Sequence, residues 1–252
     1  MGDGYYTHTV SQQKGTTSAS PQVSGLFVAL AGLFVTFLIT ANIIAVKLIS
    51  IDPALPGFLG NPRILPAAIV VFPITYILGD VLTEVYGFKY ARRVIWLAFL
   101  CNAAAVLAFW LGEQLPSAGF WEGQEAYKTI LGNTPRLLAA SFAAFLVGEF
   151  SNSIVLSRLK LATNGRWLWT RTIGSTIVGQ GVDSAIFITI AFVNIIPDSE
   201  VLKLILTQWT VKVLYEAAAT PITYAAVTFL KRHEGFDVYD QGVSLNPLAA
   251  FK

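Results

Sequence analysis

Two acids four residues apart, Asp80 and Glu84, stand in the apolar stretch YILGDVLTEVYGFKYARR at Tyr76–Arg93, which breaks at Gly87 and ends in Lys89, Arg92 and Arg93. At helical pitch a separation of four puts both carboxylates on one face. The pattern recurs in three other apolar runs: Glu149 and Asn152 are three apart, Gln180 and Asp183 three apart, Lys212 and Glu216 four apart. Asn42 and Lys47 add polar groups in an earlier run. An ionisable side chain inside a bilayer span costs roughly 2.5–3.5 kcal/mol on insertion scales and characteristically faces the bundle interior. Such stripes on several helices describe a lined polar cavity.

The charges suggest what that cavity takes. Asp80, Glu84, Glu149, Asp183 and Glu216 outnumber Lys47 and Lys212 by five to two. Either some of the acids are protonated, or Arg93 and Arg171 reach in, or a cationic or donor-rich ligand completes the site. A carboxylate can accept paired N–H bonds from an amidine-like edge, such as the N1–H and 2-amino group of a guanine-type base, while Asn and Gln side chains read the remaining donors and acceptors. Phe72, Tyr76, Phe145 and Phe150 offer ring faces for stacking. The competing structural readings are an internal Lys212–Glu216 pair, Asn42 and Asn152 as hydrogen-bonding glue between helices, and Glu84 and Lys47 wetted near a surface.

Other chemistries lack their residues. The two histidines, His8 and His233, both lie in polar ends of the chain, so no imidazole is available in the apolar runs for metal or nucleophilic work. No metal or cofactor is expected, and no enzymatic activity. G-x-x-x-x-G-K-[ST] is absent. Gly179-x-Gly181, with Ser175, follows no strand and suits close helix packing rather than a nucleotide loop, and Ala41-x-x-x-Ala45 is a similar small-residue contact surface. Cys101 is a single cysteine in an apolar run.

The elements that must position these residues are read from composition. The chain has 252 residues, 54% hydrophobic and 13% charged, with a mean hydropathy of +0.61; a formal charge of +2 gives no reason to expect nucleic acid. Residues 1–24, rich in Ser, Thr, Gln and Gly, read as a polar disordered tail. Residues 25–232 hold six apolar stretches of the roughly 20 residues a span needs: about Leu26–Ile49, Ile64–Tyr86, Val94–Leu115, Pro135–Leu161, Thr172–Ile196 and Val201–Leu230. Pro66 suits a first helical turn, and Pro73 is expected to kink the second span. Residues 233–252 read as a second polar tail. The fold class is therefore all-α, a polytopic membrane protein with six transmembrane helices in a bundle. Counting bases, 11 fall on the side of the termini and 4 opposite, so both termini are expected in the cytoplasm.

Three motifs, GDVLTEVYGFKYARR at Gly79–Arg93, GEFSNSIVLSRLK at Gly148–Lys160 and RTIGSTIVGQGVDSAIF at Arg171–Phe187, together resemble the queuosine precursor transporter family of the vitamin-uptake-transporter group. The AN-x4-K pattern at Ala41–Lys47 and K-x3-E at Lys212–Glu216 are also similar, and the resemblance covers about residues 25–232. It implies uptake across the bacterial inner membrane of 7-cyano-7-deazaguanine, with its 7-aminomethyl relative as a second candidate. It also implies a bundle like the six-helix substrate-binding subunits of energy-coupling-factor transporters. The alternative it leaves open is a substrate-capture subunit that depends on a separate ATP-driven module. Carried over by motif, Asp80, Glu84, Glu149, Asn152, Gln180 and Asp183 are the expected lining. The expected partners are a small-molecule base and the lipid bilayer; oligomeric state is open, with a homodimer as one candidate.

Overall fold

The computed structural model describes residues 24–51, 63–132, 135–194 and 197–249. The expected N-terminal tail therefore lies almost wholly outside the described residues. Among the described residues seven α-helices run α1 Gly25–Ile44, α2 Phe72–Tyr86, α3 Phe88–Gln114, α4 Gln124–Leu131, α5 Pro135–Ala162, α6 Leu168–Phe192 and α7 Asp198–Glu234. Five of them, α1, α3, α5, α6 and α7, are long and apolar enough to cross a membrane. Their large outward apolar residues, such as Leu100, Leu107 and Trp110 on α3, suit lipid rather than water. The chain is a multi-pass membrane protein.

The first two expected spans are drawn differently. Helix α1 stops at Ile44, and the apolar residues beyond it form a two-stranded antiparallel ribbon, β1 Leu48–Ile51 against β2 Arg63–Pro66, with Leu48 opposite Pro66. Apolarity alone does not distinguish a strand from a continuing helix. Pro66 consequently ends a strand and precedes a 3-10 turn, Ala67–Val70. Pro73 lies in the first turn of α2, where its missing N–H costs nothing, and so does not kink the helix. Helix α4 is a short exposed amphipathic helix inside what reads from sequence as a polar loop.

Local signals explain the remaining boundaries. Ser24 caps α1 by accepting from the Phe27 N–H at 3.0 Å. Between α2 and α3 the chain turns at Gly87, with φ of 83°, and a Cβ there would press on Val238 and Asp240. Helix α7 closes on a left-handed Gly235 with Lys231, Arg232 and His233 in its last turn.

Hydrogen bonds from Ser24 and Tyr86 to Glu234 bring the start of α1 and the ends of α2 and α7 together, at what we call the terminal end. The most extensive helix contact is α5 on α6. It is made possible by two facing glycines: a Cβ on Gly179 would meet Asn152 at 2.6 Å, and one on Gly148 would meet Asp183 at 2.7 Å. In lipid, such small-residue crossings let van der Waals packing replace the hydrophobic drive.

Candidate functional site

The polar residues of the bundle form two tiers. The middle tier is built on α2, α5, α6 and α7. Asp80 is fully buried, and its Oδ1 accepts a hydrogen bond from Asn152 Nδ2 at 2.7 Å. The Glu149 carboxylate leans on the bare backbone of Gly79, where any Cβ would collide with it. Gln180 is buried on α6, and one turn on, Asp183 pairs with Lys212 of α7. The Lys212 ammonium also lies 3.5 Å from the Tyr76 hydroxyl, and 5.4 and 5.8 Å from the ring centres of Phe72 and Tyr76. The internal Lys212–Glu216 pair gives way to this interhelical one, because Asp183 is presented directly across the α6–α7 contact.

Five buried acceptor oxygens in this tier have no donor among the described residues: Asp80 Oδ2, Glu149 Oε1, Asn152 Oδ1, Gln180 Oε1 and Glu216 Oε1. Leaving one such group unsatisfied costs about 1–3 kcal/mol, more when charged. The arrangement is thus a concentrated set of acceptors lacking donors.

A cavity of about 130 Å³ opens beside it, walled by Asn42, Phe72, Tyr76, Phe145, Asp183, Lys212 and Glu216. Asp80, Glu149, Asn152 and Gln180 are buried and are not among the residues that wall it. The cavity shares Asn42, Ser141 and Gln208 with a larger one of about 480 Å³ that extends away from the terminal end to Gly132 and Leu204. Asn42 is fixed there by donating to Asn102 at 3.1 Å and accepting from Ser141 at 3.3 Å. The larger falls within the roughly 300–1,000 Å³ of sites for drug-sized ligands, while the smaller lies below that range and suits a compact planar solute.

The lower tier, at the terminal end, is a closed ion cluster. Glu84, fully buried, accepts from Arg171 Nη2 at 2.8 Å and Nε at 3.2 Å, and from Lys231 Nζ at 2.7 Å, with Lys160 Nζ at 3.5 Å. Lys160 and Lys231 also hold Asp237, at 2.6 and 2.9 Å. Burial pushes the Asp237 carboxyl up, but the two ammoniums outweigh it and hold it below the usual carboxylate range. This cluster accounts for one acid of the sequence excess; Arg171 is the arginine that reaches in.

Three further expected residues lie outside the cavity wall and outside the middle tier. Glu84 is the centre of the ion cluster and is not among the residues that wall the cavity. Lys47 is exposed, beyond the end of α1, because the helix stops three residues earlier. Phe150 faces the opposite side of α5, packed with Phe88 and Ile95, so it is not placed to stack on a solute in the cavity. Sequence reasoning passed over Gln208, Ser141 and Asn102, ordinary amides and a hydroxyl with no charge to mark them, and the lysines of the lower tier, which read as span-end bases.

The glycine crossing sets the spacing of the middle tier, since Gly179 touches Asn152 and Gly148 touches Asp183. Gly179→Ala is expected to force α5 from α6, costing about 1–3 kcal/mol. That should lower the thermal midpoint of the detergent-solubilised protein by roughly 2–12 °C.

The profile of the family described as putative vitamin uptake transporter matches residues 66–226. A Bacillus subtilis protein named "Probable queuosine precursor transporter" is 30% identical over 213 residues, 83% of this chain and 86% of its own length. An Escherichia coli protein named "Queuosine precursor transporter" is 30% identical over 121 residues, 48% of this chain and 52% of its own. One from Haemophilus influenzae, named as the first, is 28% identical over 123 residues, covering 49% of this chain and 50% of its own. No solved structure matches. A buried acceptor tier in a multi-pass bundle, matched over most of its length to such relatives, places the chain: it belongs to the vitamin uptake transporter family, among the queuosine precursor transporters.

Proposed function

We propose that this protein is an uptake transporter for queuosine precursors, taking 7-cyano-7-deazaguanine, with 7-aminomethyl-7-deazaguanine as a second substrate, and that it is not an enzyme. The observation that carries the reading is the set of five buried acceptors without donors beside the Asp183–Lys212 cavity. A guanine-like base presents its N1–H and 2-amino donors along one edge and a π face above and below. Those donors answer the orphaned carboxylate and amide oxygens, and the rings of Phe72, Tyr76 and Phe145 bracket the face. Asp183 and Glu216, on the wall, meet the base first; Asp80, Glu149, Asn152 and Gln180 complete the contact as the wall rearranges around it.

The bundle is placed in the inner membrane as six spans. The fifteen residues of α2 and the preceding 3-10 turn together make the second, in the manner of an energy-coupling-factor substrate-binding subunit. With both termini cytoplasmic, the larger cavity is the outer approach and the Glu84 cluster is the inner closure. Alternating access then requires Glu84 to part from at least some of its cations.

The test is uptake into liposomes containing only this protein. Radiolabelled 7-cyano-7-deazaguanine should accumulate inside to equilibrium, and unlabelled guanine should compete more weakly. Absence of uptake together with absence of binding to the purified protein would sink the proposal. Binding without uptake would point instead to a capture subunit that needs an ATP-driven partner.

A further inference from the structure

Residues 236–249 lie beyond the stretch matched by the family profile, within the end of the chain that reads from sequence as a polar tail. They are instead laid across the terminal end as a strap. After Gly235 turns the chain back, Phe236 packs edge-on against Tyr86, with ring centres 5.7 Å apart. Val238 fills the space left by the missing side chain of Gly87 and accepts from Lys160 Nζ at 2.7 Å through its carbonyl. Asp240 is 7% exposed; its carboxylate accepts the Phe88 N–H at the first turn of α3 and the Ser157 hydroxyl at 2.7 Å. A carboxylate at that position also meets the positive end of the helix dipole. Farther along, Arg92 donates to the carbonyls of Ser244 and Asn246 at 3.0 and 2.8 Å, and Trp96 Nε1 to that of Pro247 at 2.9 Å.

The strap therefore touches α2, α3, α5 and α7 at once, and three of these, α2, α5 and α7, carry Glu84, Lys160 and Lys231 of the ion cluster. Two features make it a latch rather than a fixed part of the core. Most of its contacts are hydrogen bonds and ion pairs rather than apolar packing, and Asp237, Tyr239, Gln241, Ser244, Asn246 and Leu248 along it are exposed, so away from the buried Asp240 water can take over much of what it holds. And the Lys160 and Lys231 ammoniums that hold Asp237 also hold Glu84, so the strap and the closure share their cations.

We propose that the segment 236–249 is an inner latch: docked, it holds the terminal end shut by fixing Lys160 and Lys231 onto Glu84, and it must undock for that end to open. This placement of the latch rests on the transport reading for its purpose but not for its test, which needs no substrate. In the full-length protein with Cys101→Ala, a reporter thiol is introduced by Ser153→Cys on α5, a fully buried position between the ion cluster and the middle tier. Its labelling by a small membrane-impermeant thiol reagent is followed in liposomes oriented with the terminal end outward. With the strap intact, labelling should be slow; with Asp237→Asn and Asp240→Asn together it should be at least tenfold faster. Asp240→Asn alone, a gentler change that keeps the shape of the side chain, should give an intermediate rate. Equal rates within twofold in all three proteins would overturn the latch, whether or not the protein transports deazaguanines. Should the double variant not fold, the comparison with Asp240→Asn decides alone, and an unchanged rate there overturns it equally.

Discussion

Asp80→Asn is expected to abolish uptake while leaving the protein as stable as the wild type, or more so. The carboxylate is wholly buried, one oxygen takes the Asn152 amide, and the other has no partner. The variant amide can keep its oxygen toward Asn152, but it then turns an N–H toward the place where an acceptor stood. A ligand donor arriving there meets another donor. The lost bond to a charged acceptor is worth about 1.5–3 kcal/mol, which corresponds to a roughly 10- to 150-fold weaker affinity for the base. On the stability side, the substitution removes a buried charge that lacks a second partner, a group that costs free energy wherever it is ionised. The paired measurement is binding of 7-cyano-7-deazaguanine and the thermal midpoint without ligand. A variant that binds normally, or one that loses binding only because its midpoint has collapsed, would assign Asp80 to structure.

How much of this could be read from the chain depends on whether a residue's partner is near in sequence. Asp80, Glu149, Asn152, Gln180 and Asp183 announced themselves because each is polar inside an apolar run, and helical spacing alone placed each pair on one face. The Gly179 crossing was legible for the same reason: a small residue among large ones, beside Ser175, has few other uses in a membrane helix. What sequence could not supply is which polar residue answers which. Glu84 and Asp80 look equivalent in GDVLTEVYG, yet Glu84 meets Arg171 and Lys231, 87 and 147 positions away, and Asp80 meets only an amide. Lys212 could as well have paired with Glu216 on its own helix; the crossing of α6 over α7 chose Asp183. The β1–β2 ribbon was hidden because Leu, Ile and Val serve a strand and a span alike. The strap was hidden for the opposite reason: polar residues suggest solvent, and nothing local shows that Asp240 has a helix N-terminus waiting for it.

The contrast between the two acids of α2 gives the second large prediction, with the opposite sign in stability. Glu84→Gln leaves Arg171, Lys160 and Lys231 converging on a neutral amide, three cations without their common buried anion. Breaking a buried pair by removing one partner costs about 3–5 kcal/mol, far more than the pair is worth against a well-packed apolar replacement. For a chain of this size that corresponds to a fall of roughly 6–20 °C in the thermal midpoint. Pairing Glu84→Gln with Arg171→Met should recover part of the loss, because the most deeply buried of the stranded cations is then gone; the non-additivity is the signature of the contact. Affinity for the base at a temperature where the variant is still folded should change little, since both Glu84 oxygens are already taken by Arg171 and Lys231 and neither is left to answer a ligand donor. On these expectations one turn of α2 separates an acid whose neutralisation should spare the fold and remove the ligand from an acid whose neutralisation should spare the ligand and loosen the fold. Equal midpoints for Asp80→Asn and Glu84→Gln would mean that the two tiers are a single polar network, and that binding and closure share the same residues.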